Sequence, residues 1–270
     1  MAWTYPQIDP VAVALGPLKV HWYGLMYLFG FGVAYWLGCL RTKRADTPLN
    51  NKDQVGDMIF YCALGVILGG RLGYVFFYNF DKFLGDPMWL FRVWEGGMAF
   101  HGGLLGVFLA MWLYARKVGT TFLHMIDYVG PLVPIALGLG RVGNFIGGEL
   151  WGRATDVPWA MVFPNDPSQL LRHPSQLYQV FLEGILLFSI VWLYSNKQRP
   201  LGAVSGIFLI WYGLFRILVE FVREPDAHIG FIAWGWLTKG QLLSLPMVLA
   251  GVALMIYAYK VNGPKLEKRA

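Results

Sequence analysis

The chain has 270 residues, of which 56% are hydrophobic and only 14% charged, with 33 glycines and 12 tryptophans. Soluble domains carry roughly 25% charged residues, so this composition excludes an ordinary water-soluble particle and reads as a multi-span membrane protein. An aromatic content of 17% excludes disorder, and only two cysteines, Cys39 and Cys62, both in apolar runs, exclude a disulfide scaffold. The net charge of +6 forms no basic stripe among exposed polar residues, so nucleic acid is not an expected partner.

Apolar runs long enough for a ~30 Å hydrocarbon core lie at roughly 20–40, 55–77, 97–115, 121–146, 174–194, 201–221 and 239–259. The expected fold is therefore an all-α integral membrane protein with seven transmembrane helices, forming a single domain over 1–270. The lead before the first run has neither a basic stretch nor a small-residue cleavage site, so that run is expected to be a retained span. Residues 147–173, containing Pro158, Pro164 and Pro167, are expected to form a small extracytoplasmic cap or arm. No fixed-period repeat is visible, which weighs against an inverted-repeat transporter.

Basic residues near span ends favour the cytoplasm. The segments after the first, third, fifth and seventh spans hold Arg41, Lys43, Arg44, Lys52, Arg116, Lys117, Lys197, Arg199, Lys260, Lys265, Lys268 and Arg269 against Asp46, Asp53 and Glu267. At the opposite ends Lys19, Lys82, Arg92, Arg153, Arg172, Arg223 and Lys239 are balanced by Asp9, Asp81, Asp86, Asp156, Asp166, Glu224 and Asp226. The expected orientation is N-terminus outside and C-terminus in the cytoplasm.

Charges also fall within the apolar runs. Arg71, Arg141 and Arg216 lie inside spans, and Asp57, Glu95, Asp127, Glu149, Glu183 and Glu220 lie in or near their ends. A charge at mid-membrane costs at least ~2.5 kcal/mol. Asp57, Glu95, Asp127 and Glu183 are read as structural ion pairs or interfacial groups, whereas Arg141 and Arg216, set among other polar residues, are read as functional. In the sixth span, Tyr212, Arg216, Glu220 and Arg223 recur at helical spacing on one face. Arg141 and Asn144 share a face of the fourth span, and Gly147, Gly148 and Gly152 let the chain turn around Glu149. Two arginine forks suit the phosphate of an anionic lipid; a structural Arg–Glu lattice would use the same residues.

The third span opens with Glu95-Gly96-Gly97-Met98-Ala99-Phe100-His101-Gly102-Gly103. Its glycines allow close helix packing, and His101 reads either as a satisfied packing residue or as a proton-transfer group. His173-Pro174-Ser175-Gln176-Leu177-Tyr178 reads as a helix start with Ser175 as its cap. The five histidines lack metal-ligand spacing, and no nucleophile elbow, P-loop or dinucleotide fingerprint is present, so neither metal nor cofactor is expected.

Gly140-Arg141-Val142-Gly143-Asn144-Phe145-Ile146-Gly147-Gly148-Glu149-Leu150-Trp151-Gly152 resembles the G-R-x-G-N-F-x-N-G-E-x-x-G signature of bacterial prolipoprotein diacylglyceryl transferases, with Gly147 where the family has asparagine. The HPSQLY segment, His101 with its glycine pair, Arg71 in GGRLGY and the run Tyr212–Glu220 match as well. The resemblance implies an inner-membrane enzyme that moves the diacylglyceryl group of phosphatidylglycerol to the lipobox cysteine of a preprolipoprotein signal peptide. It also implies the roles. His101 is the candidate base, Arg141 and Arg216 stabilise the departing phosphate, and Tyr212 positions lipid or phosphate. Asn144 bonds the headgroup, Glu149 and Glu220 hold arginines, Gly152 shapes the backbone, and Tyr27 and Arg71 complete the binding set. Outside the resemblance, a transporter or flippase for an anionic lipid and a membrane scaffold stand as alternatives.

Overall fold

The computed structural model describes residues 3–16, 18–44, 46–225 and 230–261. Asp226, Lys265, Glu267, Lys268 and Arg269, which enter the charge balance above, lie outside the described residues. A short antiparallel hairpin, β1 (Val11–Leu15) and β2 (Leu18–His21), precedes α1 (Trp22–Arg41) and α2 (Lys52–Tyr78). Then come α3 (Phe80–Gly85), two 3-10 turns, α4 (Phe100–Lys117), α5 (Phe122–Val129) and α6 (Val133–Ile146). The strands β3 (Met161–Val162) and β4 (Leu171–Arg172) pair within 147–173. The chain continues through α7 (Ser175–Gln179), a π-helical stretch Val180–Leu186, α8 (Leu187–Tyr194), α9 (Ala203–Glu220) and α10 (Lys239–Val261).

Six helical stretches are long and apolar enough to cross a membrane: Trp22–Arg41, Lys52–Tyr78, Phe122–Ile146, Ser175–Tyr194, Ala203–Glu220 and Lys239–Val261. Several of these form across joins. Pro131 and Pro134 occupy first-turn positions, where their missing amide hydrogens cost nothing, so α5 runs into α6. The seventh expected span corresponds to α4, which has 18 residues and falls outside those six. His101 at one end and Arg116 and Lys117 at the other lower its hydropathy. Leu28, Leu68, Leu105, Leu193 and Leu249 stand exposed on the helices, an apolar exterior that fits lipid as solvent. The fold is that of an all-α integral membrane protein.

Two compact units are present, Met1–Ala34 with Val129–Ala270, and Tyr35–Tyr128. In the second, α2 and α4 meet backbone to backbone. A Cβ at Gly69 would strike the Gly102 carbonyl, and one at Gly106 would strike that of Gly65. Small residues at four-residue spacing therefore supply the packing that lipid cannot drive. Asn51 caps α2 by accepting from the Gln54 amide at 2.8 Å. Asp57 pairs with Lys117 at 3.5 Å, and Glu95 with Lys82 and Arg92 at 3.7 and 3.5 Å.

In the first unit, α9 and α10 pack through Gly206, Gly213 and Gly251. The segment 147–173 has its own small core, in which Tyr5, Met161 and Phe163 pack with Phe145, Trp151 and Leu177. The Tyr5 hydroxyl donates to the carbonyls of Phe145 and Ile146, closing the C-terminal end of α6. Residues 147–173 thus carry a small core of their own, packed against the end of α6 through Phe145.

Candidate functional site

The geometry starts from two glycines. Gly138 on α6 and Gly184 in the π-helical stretch lie so close that a Cβ on Gly138 would sit 3.0 Å from the Gly184 Cα. Arg141, one turn beyond Gly138, thereby comes beside Glu183. The π-helical turns shift side-chain directions relative to an α-helix, a device common at functional sites. Glu183 is wholly buried, with Oε2 3.6 Å from Arg141 Nε and Oε1 3.9 Å from Arg216 Nη1. Gln179 Nε2 donates to Glu183 Oε1 at 3.1 Å.

The face of α9 supplies the second half. Arg216 pairs with Glu220 one turn on, and Arg223 Nη1 reaches the same carboxylate at 3.2 Å. Thr238 Oγ1 donates to Glu220 Oε2 at 2.6 Å. Glu220 is thus tied on both oxygens. Arg216 Nη1 and Glu183 Oε2 have no hydrogen-bond partner among the described residues. Tyr212 lies in the field of Glu183, Arg141 and Arg216 and stacks on Phe208.

On α6, the buried Asn144 accepts from Arg141 Nη1 at 3.5 Å. Tyr23 packs against Gly143, where a Cβ would approach its ring to 3.0 Å, and its hydroxyl lies 3.1 Å from that of Tyr27. Tyr23 also sits in the field of Arg141 and Glu149. The signature loop is then pinned from below. The Glu149 amide donates to Asn144 O at 3.0 Å, and Gln176 Nε2 donates to Glu149 O at 2.6 Å. Gly148 and Leu150 hold φ of 63° and 58°, and for leucine that is a strained conformation. Ser175 donates its hydroxyl to Leu150 O at 3.0 Å. The expectation that Ser175 caps its helix is corrected: Pro174 holds the cap position without a side-chain bond, and the nearby Leu150 carbonyl takes the hydroxyl.

Gly152 joins three segments. Its amide donates to His173 O at 2.8 Å, and it bridges to Arg223. Arg153 donates to the carbonyls of Glu220 and Arg223, both at 3.1 Å, a basic side chain closing a helix C-terminus. Arg172 anchors the cap. It donates to Asp166 at 2.5 and 3.3 Å, to Ser168 Oγ at 3.0 Å and to Gly152 O at 3.2 Å.

Burial alone would raise the Asp166 carboxyl, but its bonds from Arg172 and Ser168 outweigh that and hold it at about 2. An unfolded Asp titrates near ~3.9. The cap therefore keeps this contribution above about pH 4 and loses it as pH falls toward 2. Thermal melting of wild type and Asp166→Asn from pH 5 to 2 is expected to show a smaller acid-induced drop for the variant. Parallel curves would remove Asp166 from the account.

His101 and Arg71 belong to the Tyr35–Tyr128 unit. His101 stands exposed at the start of α4, edge-on to Phe100. Arg71 is buried, and its fork is occupied by backbone carbonyls: Leu90 at 2.9 Å, Gly96 and Trp89 at 2.5 Å, and Arg92 at 3.1 Å. With its donors committed to this loop, Arg71, expected in the substrate-binding set, shapes 89–97.

Sequence reasoning missed Glu183 as a member of the cluster, grouping it with interfacial charges. It also passed over Gln179, Tyr23, Arg153 and Thr238. An acidic residue nine positions into an apolar run was the available signal for Glu183. The others carry no charge in a span and become visible only through their neighbours, apart from Arg153, whose target is backbone.

Two half-buried arginines held by two carboxylates, on a mostly helical protein with spans long enough to cross a membrane, define the class: an integral membrane protein with a polar cluster among its apolar helices. The family model described as prolipoprotein diacylglyceryl transferase matches residues 10–257. A phosphatidylglycerol--prolipoprotein diacylglyceryl transferase of Ectopseudomonas mendocina is 62% identical over 256 residues, covering 95% of this chain and 96% of the relative. Those of Pseudomonas aeruginosa strain LESB58 and Azotobacter vinelandii are each 60% identical, with the same coverage. The chain belongs to the prolipoprotein diacylglyceryl transferase family.

Proposed function

We propose that the chain transfers the sn-1,2-diacylglyceryl group of phosphatidylglycerol to the lipobox cysteine thiol of a preprolipoprotein, the first step of bacterial lipoprotein maturation. The thiolate sulfur attacks the glyceryl carbon that bears the phosphate. The carbon–oxygen bond breaks, its electron pair stays on the phosphate oxygen, and glycerol phosphate leaves. A free thiol near pKa 8.5 is only a few per cent ionised at neutral pH, so a base is needed, and His101 is the residue assigned to it. Arg141 and Arg216 stabilise charge growing on the phosphate more than charge already present in the bound lipid. Asn144, Tyr27 and Tyr212 orient headgroup and lipid, and Glu149 and Glu220 hold the arginines.

The observation that carries this reading is the arginine pair itself: two guanidiniums from α6 and α9 converge on Glu183 next to the family signature. Transfer of an alkyl group forms no tetrahedral intermediate, so the site requires no oxyanion hole. In the membrane, α4 is proposed as the seventh span, with the cap and N-terminus outside the cytoplasmic membrane and the C-terminus inside.

The test is purified protein with phosphatidylglycerol vesicles and a lipobox peptide. The expected result is a peptide mass gain of one diacylglyceryl unit. Lipid movement without modification would identify a flippase, and neutral replacements of Arg141 and Arg216 that change nothing would identify a scaffold. His101→Asn is expected to lower turnover at pH 7 by roughly 10²- to 10⁴-fold, the usual worth of general-base catalysis; near-normal turnover would rule out obligatory proton abstraction by His101.

A further inference from the structure

Glu183 is wholly buried between the two arginines, and the chemistry above gives it no task. We propose that Glu183 speeds product departure: its carboxylate competes with glycerol phosphate for Arg141 and Arg216, so the site favours a phosphomonoester over a phosphodiester far less than the bare arginine pair would. The inference rests on the reading that this pair binds the lipid phosphate.

The need for such a residue follows from charge. A phosphodiester carries one negative charge, whereas a phosphomonoester carries about 1.5 to 2 at pH 7. Coulomb attraction scales with that charge. An uncompensated arginine pair that favours the transition state would therefore hold the product more tightly than the substrate, and turnover would stall on release.

The placement of Glu183 meets this need. Its contacts of 3.6 and 3.9 Å are ion pairs longer than hydrogen bonds, so it supplies charge without filling the arginine forks. Gln179 and the backbone contact between Gly138 and Gly184 fix its position. Glu220 is differently employed, since Arg223 and Thr238 share it with Arg216. With Glu220 balanced by Arg223, Arg141 and Arg216 against Glu183 keep one positive charge, which matches a diester. The second negative charge of the product meets Glu183.

Glycerol 1-phosphate and its methyl ester, which differ by that charge, serve as probes by inhibiting peptide modification. Wild type is expected to favour glycerol 1-phosphate over the methyl ester only slightly. In Glu183→Gln the inhibition constant for glycerol 1-phosphate should fall by about tenfold or more, that of the ester far less, and turnover should show a burst followed by a slow steady rate. Glu183→Asp, which keeps the charge, should restore the wild-type ratio. Equal shifts for both probes, or a wild type that favours the monoester by about tenfold or more, would overturn the inference. The wild-type comparison decides even if Glu183→Gln does not fold. Transfer by a wild type that strongly favours the monoester refutes this inference alone, whereas absence of transfer in the wild type refutes the reading beneath it.

Discussion

Arg141→Ala is expected to lower the rate of peptide modification by roughly 10²- to 10³-fold, the usual cost of removing one donor aimed at charge that develops in the transition state. The effect has two parts. The guanidinium contact proposed with the phosphate is lost, and so is half of the compensation for Glu183, which is wholly buried. A buried charge deprived of its partner is strongly destabilising, so some loss of stability should accompany the loss of rate. Arg141→Lys is expected to recover little, because an ammonium cannot offer one nitrogen toward Glu183 and another to Asn144 as the fork does. Initial rates measured by peptide mass, at saturating lipid, check this. A variant that retains a tenth of the wild-type rate would show that Arg141 does not touch the reacting phosphate.

Gly152→Ala is expected to be nearly as damaging by a steric route. The new Cβ would lie 2.5 Å from the His173 Cβ, 2.6 Å from the Val222 carbonyl oxygen and 2.7 Å from that of His173. Two of those three atoms are backbone. The segments carrying them are themselves tied, His173 to the Gly152 amide and Val222 to the Arg153 amide. Relief requires the signature loop to part from the end of α9, which would also draw Arg153 away from the Glu220 carbonyl. Overpacking of this kind costs about 1 to 3 kcal/mol or more, so the apparent Tm should fall by several degrees together with activity.

Gly147→Asn is the contrasting case. Gly147 has ordinary helical dihedrals, with φ −71° and ψ −8°, and its Cβ would meet nothing nearer than 3.4 Å. This substitution should fold normally, and its activity reports whether the family asparagine makes a contact that this chain does without. A Gly152→Ala protein melting within a degree of wild type would mean that the loop yields without cost.

Much of the membrane architecture was legible in the sequence because hydrophobic span length is a local property. Six of the seven expected spans coincide with helices of sufficient length and hydropathy; α4, whose hydropathy is lowered by polar residues at both ends, does not meet the criterion. The stripe Tyr212, Arg216, Glu220 and Arg223 was legible because helical spacing alone sets which side chains share a face. The loop 147–152 was legible through its glycines and its family signature.

Partnership was not legible. Arg71 and Arg141 look alike as arginines in apolar runs, yet Arg71 is saturated by loop carbonyls and Arg141 faces a buried carboxylate. Glu183 looked interfacial until the contact of Gly138 with Gly184 set it between two arginines. The sequence by itself determined which charges enter the membrane, since that depends on neighbours along the chain. Only the tertiary structure decided which of them face one another, because ion pairing falls within a few ångströms, and those distances are fixed by helix contacts between residues far apart in sequence.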